Sequence, residues 1–218
     1  MWSIVVAGGS GRRFGQLKQY ALLGGRPVLQ WAVAACQTCS AGVVLVVPEG
    51  DGDDDPHGAD AVVTGGSTRS DSVRCGLAAV PDDAAVIVVH DAARPLASPA
   101  LFAAVVAAVR DGGADGAVPG MPPSDTIKAV DESGRVTSTL DRATLVAVQT
   151  PQAFRGALLR RAHGDESPGA GATDDAMLVE ALGGTVQVVP GEPGNLKITD
   201  PGDLGAAERL LGGLGGVR

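Results

Sequence analysis

Aromatic residues are scarce in this sequence. Phe, Trp and Tyr make up 3% of the residues, whereas hydrophobic residues make up 44%. The core is therefore predicted to consist mainly of Ala, Val and Leu, and a mean hydropathy of +0.17 supports a packed core. With 218 residues, the chain is most simply one α/β domain over 1–218, large enough to bury roughly 70% of its unfolded surface.

Cysteine is also rare, and three residues cannot form a disulfide framework. Cys36 and Cys39 form a CxxC pair that could serve redox chemistry or a metal. However, they end the apolar helical run from Val28 to Cys39 instead of opening a helix, and no second pair exists to complete a zinc site. The pattern favours a place in the core.

Positive charge is in deficit, since 17 Lys and Arg residues stand against 25 Asp and Glu residues, for a net charge of −8. This balance argues against a surface that binds nucleic acid or an acidic membrane, because both need a basic face. No apolar run approaches the roughly 18 residues of a membrane span, and no basic segment precedes the first apolar residues. We therefore predict a soluble cytoplasmic protein.

A glycine loop near the amino terminus carries much of the local positive charge. The apolar run Ile4–Val6, typical of a buried parallel strand, leads into Gly8, Gly9 and Gly11, and the cations Arg12, Arg13 and Lys18 follow. Glycine backbones can bring N–H groups close to an anion. The pattern indicates a cradle for a polyphosphate, and the alternative is a glycine turn with solvated arginines.

Two well-known phosphate-binding loops do not fit this sequence. A Walker A loop needs Gly-Lys-Ser/Thr, which is absent. A dinucleotide fingerprint needs a third glycine where Phe14 stands, and Glu49 lies much farther on than the expected acidic residue. Adjacent arginines also suit a triphosphate better than a bridging pyrophosphate.

A second glycine turn follows a short predicted strand, Ala61–Val63. Gly65 and Gly66 permit close approach of a ligand, and Ser67 or Thr68 is placed to cap a helix that continues through Leu77. Near the start of that helix lie Arg69 and Ser72, where backbone donors favour an anion or a carbonyl group. A capped helix start alone would explain most of this pattern, but the repetition of strand, glycine turn and helix favours ligand binding.

The predicted strand from Ala85 to Val89 ends abruptly in His90, Asp91 and, slightly later, Arg94. Open α/β sheets bind ligands at the carboxyl ends of their strands. Asp91 is the best candidate for a Mg²⁺ ligand, because Mg²⁺ prefers one or two carboxylates together with substrate phosphate oxygens. The alternative for Asp91 is an ion pair with an arginine at the strand end, and His90 is interpreted as structural.

The alternation of strand and helix breaks down over residues 122–150. This segment reads as extended pieces around a turn, without a helix to cover them, and such hairpins often reach to a second subunit. We predict a dimerisation arm. Beyond it, we predict a helix from Phe154 to His163, a mobile loop from Gly164 to Ala172 and a last helix from Pro201 to Leu211.

Nine short stretches together resemble the 2-C-methyl-D-erythritol 4-phosphate cytidylyltransferases, CTP-dependent enzymes of the non-mevalonate isoprenoid pathway. In chain order, the stretches are AGGSGRRF, KQY, GGRPVL, GGSTRSDSV, VHDAARP, DTIK, DR with TPQ following, TDDA and NLKIT. The resemblance implies one Rossmann-like nucleotidyltransferase domain of class α/β, with a mostly parallel sheet and a protruding β-hairpin dimerisation arm at 122–150. It also implies a homodimer.

The resemblance assigns roles to individual residues. It implies a cytidine pocket lined by Ala7, Gly8, Gly9, Gly66, Ser67 and Ser72. It implies that the catalytic cations around the triphosphate are Arg13, Lys18 and Lys197, that Asp91 holds Mg²⁺, and that Arg94 lies beside the sugar phosphate. Methylerythritol phosphate would be bound by Thr126, Arg142 and Thr150, largely across the dimer interface.

The implied reaction transfers CMP from CTP to 2-C-methyl-D-erythritol 4-phosphate and releases pyrophosphate. No dedicated base is needed, because the second pKa of a phosphate monoester is about 6 and the attacking oxygen is already anionic at neutral pH. Two alternatives remain open at the level of the sequence. One is a cytidylyltransferase for another alcohol phosphate, such as ribitol 5-phosphate, and the other is a nonenzymatic nucleotide-binding regulator.

Overall fold

The computed structural model of the chain describes residues 1–8, 17–50, 56–164 and 172–215, with only the helical backbone at 214 and 215. Strands β1 to β12 span Trp2–Val6, Leu22–Leu23, Arg26–Pro27, Gly42–Val47, Ala61–Thr64, Val86–Asp91, Gly116–Met121, Lys128–Val130, Val136–Thr139, Ala147–Val148, Gln152–Arg155 and Val186–Pro190. Helices α1 to α6 span Val28–Gln37, Arg69–Ala79, Pro99–Arg110, Gly156–Ala162, Asp175–Ala181 and Pro201–Gly215. Short 3₁₀ turns lie at Lys18–Tyr20 and Arg142–Thr144.

The centre of the molecule is an eight-stranded sheet in the order β10-β7-β11-β6-β1-β4-β5, with β12 also paired to β7. Strands β5, β4, β1 and β6 run parallel, as do β7 and β12. Val6, at the end of β1, lies opposite Asp91 on one side and Val46 on the other. The predicted α/β class with a mostly parallel sheet is confirmed, and the carboxyl ends of β1 and β6 meet at one edge.

Helices cover both faces of this sheet, because successive side chains of its buried strands point to opposite sides. Val5 packs in the cluster that contains α1 and α3, whereas its neighbour Ile4 packs in the cluster that contains α2, α4 and α5. Cys36 of α1 is fully buried in the first cluster, and burial raises the pKa of its thiol. A buried, protonated thiol matches the predicted core position and not a reactive cysteine.

The prediction of a helix beginning at Phe154 is wrong, because β11 occupies Gln152–Arg155 and α4 begins only at Gly156. β11 runs antiparallel between β6 and β7 and pairs with both. Phe154 is fully buried there, and a Cβ added to Gly116 would lie only 2.6 Å from its ring. Pairing with two distant strands, which local sequence does not reveal, fixes the extended backbone.

The segment 122–150 forms the predicted hairpin, from here on called the arm. Its strands β8 and β9 make a separate two-stranded sheet, and every residue of β9 is exposed. Only β10, at its end, joins the edge of the central sheet beside β7. The single domain over 1–218 and the assignment of the arm to dimerisation stay predictions.

Two further predictions fall on residues that the structure does not describe. The glycine loop with Gly9 and Arg13 lies within 9–16, and most of the predicted mobile loop lies within 165–171. In the described part of the chain, no helix is both long enough and apolar enough to cross a bilayer.

Candidate active site

A cavity of about 270 Å³ opens where the carboxyl ends of β1 and β6 meet the start of α2. Seven of the residues predicted from the sequence line it: Ala7, Gly8, Lys18, Ser67, Ser72, Asp91 and Lys197. They come from both ends and the middle of the chain, from Ala7 to Lys197. The fold therefore brings the predicted nucleotide residues and two of the three predicted catalytic cations to one place.

The start of α2 forms one wall of this cavity. Thr68 is the N-cap: its hydroxyl accepts the backbone N–H of Asp71, and the Asp71 carboxylate accepts the backbone N–H of Thr68. This reciprocal arrangement fixes the turn in which Gly66 and Ser67 lie. A Cβ added to Gly66 would fall 2.3 Å from Asp71 Cβ, so this position requires glycine.

Close packing also surrounds Ser72, which is 2% exposed. Its hydroxyl donates to Thr68 O at 2.9 Å. A Cβ added to Gly65 would lie 2.6 Å from Ser72 Oγ, and one added to Gly8 would lie 3.0 Å from it. The two predicted glycine turns therefore approach the same serine.

Asp91 is the centre of charge in the cavity. Its Oδ2 accepts a hydrogen bond from Lys197 Nζ at 2.7 Å, and its Oδ1 accepts one from Arg69 Nε at 3.2 Å. Burial alone would raise the pKa of Asp91, but the positive charges of Arg69 and Lys197 hold it well below its usual range. The carboxylate is thus kept anionic, as a cation ligand must be.

Lys18 approaches this centre from another part of the chain. Its ammonium donates to the carbonyl of Ile198 at 2.9 Å, which places Lys18 next to Lys197 in space although 180 positions separate it from Ile198. Two lysines, one arginine and one carboxylate therefore line the cavity. That excess of positive charge suits an anionic ligand.

Five predicted residues do not line the cavity: Gly66, Arg94, Thr126, Arg142 and Thr150. Arg94 Nη1 donates to Asn195 O at 2.8 Å, while its buried Nε has no hydrogen-bond partner among the described residues. Thr126 and Arg142 are exposed on the arm, and Arg142 Nη1 donates to Ser124 O at 2.8 Å. Their contacts with a substrate stay predictions.

Thr150 is buried, and its hydroxyl lies between two groups of the protein. It accepts the backbone N–H of Asp91 at 3.0 Å and lies 3.1 Å from His90 Nδ1. On the opposite side of the ring, His90 Nε2 lies 3.1 Å from the carbonyl oxygen of Arg94. Since a carbonyl can only accept, Nε2 of the neutral ring carries the proton and Nδ1 accepts from Thr150. His90 thus has the structural role predicted for it.

The architecture and much of the sequence are shared with known proteins. A family model described as 2-C-methyl-D-erythritol 4-phosphate cytidylyltransferase matches residues 1–213. The enzyme of that name from Nocardia farcinica is 46% identical over 220 residues, which cover 96% of this chain and 93% of the relative. The chain belongs to the 2-C-methyl-D-erythritol 4-phosphate cytidylyltransferase family.

Solved structures of the cytidylyltransferase family share the fold. The crystal structure from Thermus thermophilus has a TM-score of 0.80 and 37% identity, covering 95% of this chain and 97% of that one. The structure of the synthase from Anaerococcus prevotii has a TM-score of 0.83 and 30% identity, covering 97% of each chain. The bifunctional enzyme IspD/IspF of Anaeromyxobacter dehalogenans is 48% identical, and the match covers 95% of this chain but only 56% of that protein.

Arg69 and Gln19 line the cavity of this cytidylyltransferase-family chain but were not among its predicted site residues. Arg69 was noticed only as part of a helix start, although it binds Asp91 directly. Gln19 belongs to the KQY stretch, is 3% exposed at the cavity, and its amide nitrogen has no hydrogen-bond partner among the described residues. Gln19 directly follows the predicted cation Lys18, so its position in the sequence indicated that it lies near the site.

The donor set fits a magnesium ion that arrives with a nucleotide. Among the described residues that line the cavity, Asp91 is the only acid, and within the described ranges no cluster of three or more His, Cys, Asp or Glu could hold a metal by itself. Mg²⁺ is commonly held by one or two carboxylates together with phosphate oxygens. A single carboxylate kept anionic at the cavity meets the protein's share of that requirement.

The buried imidazole makes stability depend on pH. Burial lowers the pKa of His90 from its ordinary value of 6.5 to about 4. Between these values the unfolded chain binds a proton that the folded protein excludes, so the free energy of unfolding falls as the pH falls from 6.5 to 4. The expected loss from this residue is about 3 kcal/mol, measured by urea unfolding at a series of pH values.

His90→Gln is the matched variant for this measurement. Carboxylates with lowered pKa values also lose stability near pH 4, but they are present in both proteins, so the difference in slope isolates His90. The variant should lose less stability over this interval than the parent. Equal slopes in both proteins would show that the ring does not titrate as expected.

Proposed function

We propose that this protein transfers CMP from CTP to 2-C-methyl-D-erythritol 4-phosphate, giving 4-diphosphocytidyl-2-C-methyl-D-erythritol and pyrophosphate. The observation that carries the proposal is the meeting of Lys18, Asp91 and Lys197 at one cavity in a chain that matches the family over residues 1–213. Residues from the beginning, middle and end of the sequence meet where a triphosphate would be bound. A regulator that only bound nucleotide would not need all three.

The chemistry requires alignment more than a base. An oxygen of the acceptor phosphate, already anionic at neutral pH, attacks the α-phosphorus of CTP while the bond to the bridging oxygen breaks and pyrophosphate leaves. Negative charge builds on the phosphoryl oxygens during this step. Lys18 and Lys197 supply positive charge at the cavity, and Arg13 is proposed to do so from the glycine loop.

Mg²⁺ is the proposed cofactor, with Asp91 as its protein ligand. When bound, the ion would supply further neutralisation of the phosphate oxygens and fix their orientation. Asp91 is prepared for this role because Arg69 and Lys197 keep it anionic, and because its backbone N–H is held by Thr150. The backbone and the side chain of this residue are thus both fixed by the protein.

On the acceptor side, Arg94, Thr126, Arg142 and Thr150 are the proposed residues. Arg94 offers a buried Nε donor that no described residue accepts, which suits a phosphate oxygen of the acceptor. Thr126 and Arg142 project on the exposed arm, away from the described lining of the cavity. In the proposed homodimer, the arm of one subunit would bring them to the cavity of the other.

The reaction is tested by measuring pyrophosphate release from CTP and Mg²⁺ with methylerythritol phosphate, with ribitol 5-phosphate, and without an acceptor. Release with methylerythritol phosphate alone is the expected result. Release with ribitol 5-phosphate alone would move the protein to another cytidylyltransferase activity. Binding of CTP without release under any condition would contradict an enzymatic role.

A homodimer completes the proposal. Five of the nine large hydrophobic side chains that are exposed in the described residues lie on the arm: Val130, Val136, Leu140, Val146 and Val148. Val130 and Val136 lie on its two-stranded sheet, and several exposed apolar side chains on one short segment are typical of a protein interface. A cytoplasmic location and the absence of nucleic-acid or membrane partners stay predictions from composition.

A mixture of two inactive variants tests the shared site. Arg142→Ala removes the proposed acceptor ligand on the arm, and Lys197→Ala removes a cation of the cavity. If the arm of one subunit serves the cavity of its partner, hybrid dimers contain one intact site and should regain up to about a quarter of the parent activity when mixed equally. Subunit exchange without recovery would contradict sharing.

A further inference from the structure

A line of charged residues continues from Asp91 into the interior of the protein. Arg69 lies between two carboxylates, with its Nε 3.2 Å from Asp91 Oδ1 and its Nη1 2.8 Å from Asp175 Oδ2. The second oxygen of Asp175 lies 2.9 Å from His163 Nε2. These residues belong to α2, β6, α5 and the end of α4, so four elements meet in one network.

The inner end of this network is rigidly held. The side chains of Asp175 and His163 are each 1% exposed, and both Asp175 oxygens have partners. The carbonyl of His163 accepts a hydrogen bond from Arg74 Nε at 3.0 Å, which fixes the backbone behind the ring. Burial alone would raise the pKa of Asp175, but the hydrogen bond from His163 and the charge of Arg69 lower it. Asp175 is therefore a fixed, charged anchor.

The two oxygens of Asp91 consequently differ. Oδ1 is bound by Arg69, and Arg69 is also held by the buried carboxylate of Asp175. Oδ2 is bound by Lys197, whose side chain is 42% exposed. An ammonium on a long flexible stem can leave Oδ2 for a phosphate oxygen, while the anchored guanidinium stays. The exchangeable position on the carboxylate is thus Oδ2.

We propose that Asp175, supported by His163, is a positioning residue that keeps Arg69 on Asp91 Oδ1 and so reserves Oδ2 for the metal and nucleotide. The proposal rests on the proposed function. Without the anchor, the planar fork of the guanidinium could bind both oxygens of Asp91 at once, which is its preferred geometry with a carboxylate. Arg69 would then compete with the metal instead of directing it.

Asp175→Asn tests this arrangement because it removes the anchoring charge and preserves the shape of the side chain. The measurement is calorimetric affinity for CTP in Mg²⁺ and in EDTA, without an acceptor, so that no turnover occurs. Loss of a residue that orients a metal ligand typically costs about 10–100-fold in metal affinity. We expect the ratio of the two affinities to fall by about tenfold, with the affinity in EDTA unchanged.

Asp174→Asn is the matched control. Asp174 neighbours the anchor, but its carboxylate accepts from the backbone of Met177 and from Gln152, and asparagine caps a helix as well as aspartate does. The control should keep the parent ratio. An equal fall of both affinities in Asp175→Asn would indicate a merely structural role and overturn the proposal.

A double-variant cycle asks whether Asp175 acts through Arg69. Because the proposed effect of Asp175→Asn requires the guanidinium of Arg69, the same substitution made in an Arg69→Met background should change the ratio by less than about twofold. Independent, multiplying effects would contradict the proposal. If Asp175→Asn does not fold, His163→Gln is measured instead. We expect its affinity ratio to fall by about two- to tenfold, and an unchanged ratio would contradict the proposal.

These outcomes are separable from those of the acceptor assay. The affinity ratio is measured without methylerythritol phosphate, so a protein that uses a different acceptor would still show the fall. Conversely, a protein that transfers CMP to methylerythritol phosphate but shows no fall would keep the proposed function and lose only the positioning role.

Discussion

Replacement of Lys197 with alanine is expected to lower kcat by about 10²–10³-fold, which is the usual cost of losing one group that stabilises charge in a transition state. The ammonium lies 2.7 Å from Asp91 Oδ2 at the cavity, where it can pass to a phosphate oxygen of the nucleotide. Part of the charge that it neutralises develops only in the transition state, so kcat should fall by a larger factor than KM for CTP rises. Steady-state pyrophosphate release at saturating substrates measures both constants.

Arg110→Ala provides the control for this experiment. It removes an exposed cation at the end of α3 whose partner is Asp111, so it changes net charge without touching the cavity. It should keep the parent kcat. A Lys197→Ala enzyme with kcat within a few-fold of the parent would show that Lys197 does not act on the reaction.

The second large effect is expected for Asp91→Asn. The amide keeps the size of the side chain but loses the charge that attracts a divalent cation, and we expect kcat to fall by about 10²–10³-fold. The Mg²⁺ concentration needed for half-maximal rate should also rise. A titration of pyrophosphate release against Mg²⁺ at fixed CTP gives both values.

Asp91→Asn is also expected to lower the stability of the fold, and thermal unfolding measures that loss. Removing one partner of a fully buried ion pair commonly costs about 3–5 kcal/mol of stability, and a smaller loss is expected here because Arg69 and Lys197 are partly exposed. Activity should therefore be compared at a temperature at which the variant is folded. A folded variant with the parent dependence on Mg²⁺ would exclude Asp91 as the metal ligand.

The location of the cavity could be predicted because its signals are local. An apolar strand that ends in a glycine turn or an acidic residue marks the edge of a parallel sheet, and Gly8 and Asp91 were both found in this way. Thr68, predicted as one of two possible caps, indeed caps α2. In each case a few neighbouring residues determine the structure.

What the sequence did not reveal depends on contacts between distant parts of the chain. The bond between Arg69 and Asp175 joins positions 106 residues apart, and no local pattern indicates that these two side chains meet. The extended backbone at Phe154 has the same cause, since it is fixed by pairing with β6 and β7. The arm was identified as exposed strands, and its assignment to a dimer interface stays a prediction.

The hydrogen bonds of Asp91 also set the order in which the site can be completed during synthesis. Strands β5, β4, β1 and β6 are all contained in residues 2–91, so this half of the sheet is available early. Thr150, Asp175 and Lys197, by contrast, leave the ribosome much later, and each is needed to hold Asp91 or its arginine. A nascent chain shorter than 197 residues therefore contains the nucleotide-facing strands but not the charge balance of the finished cavity.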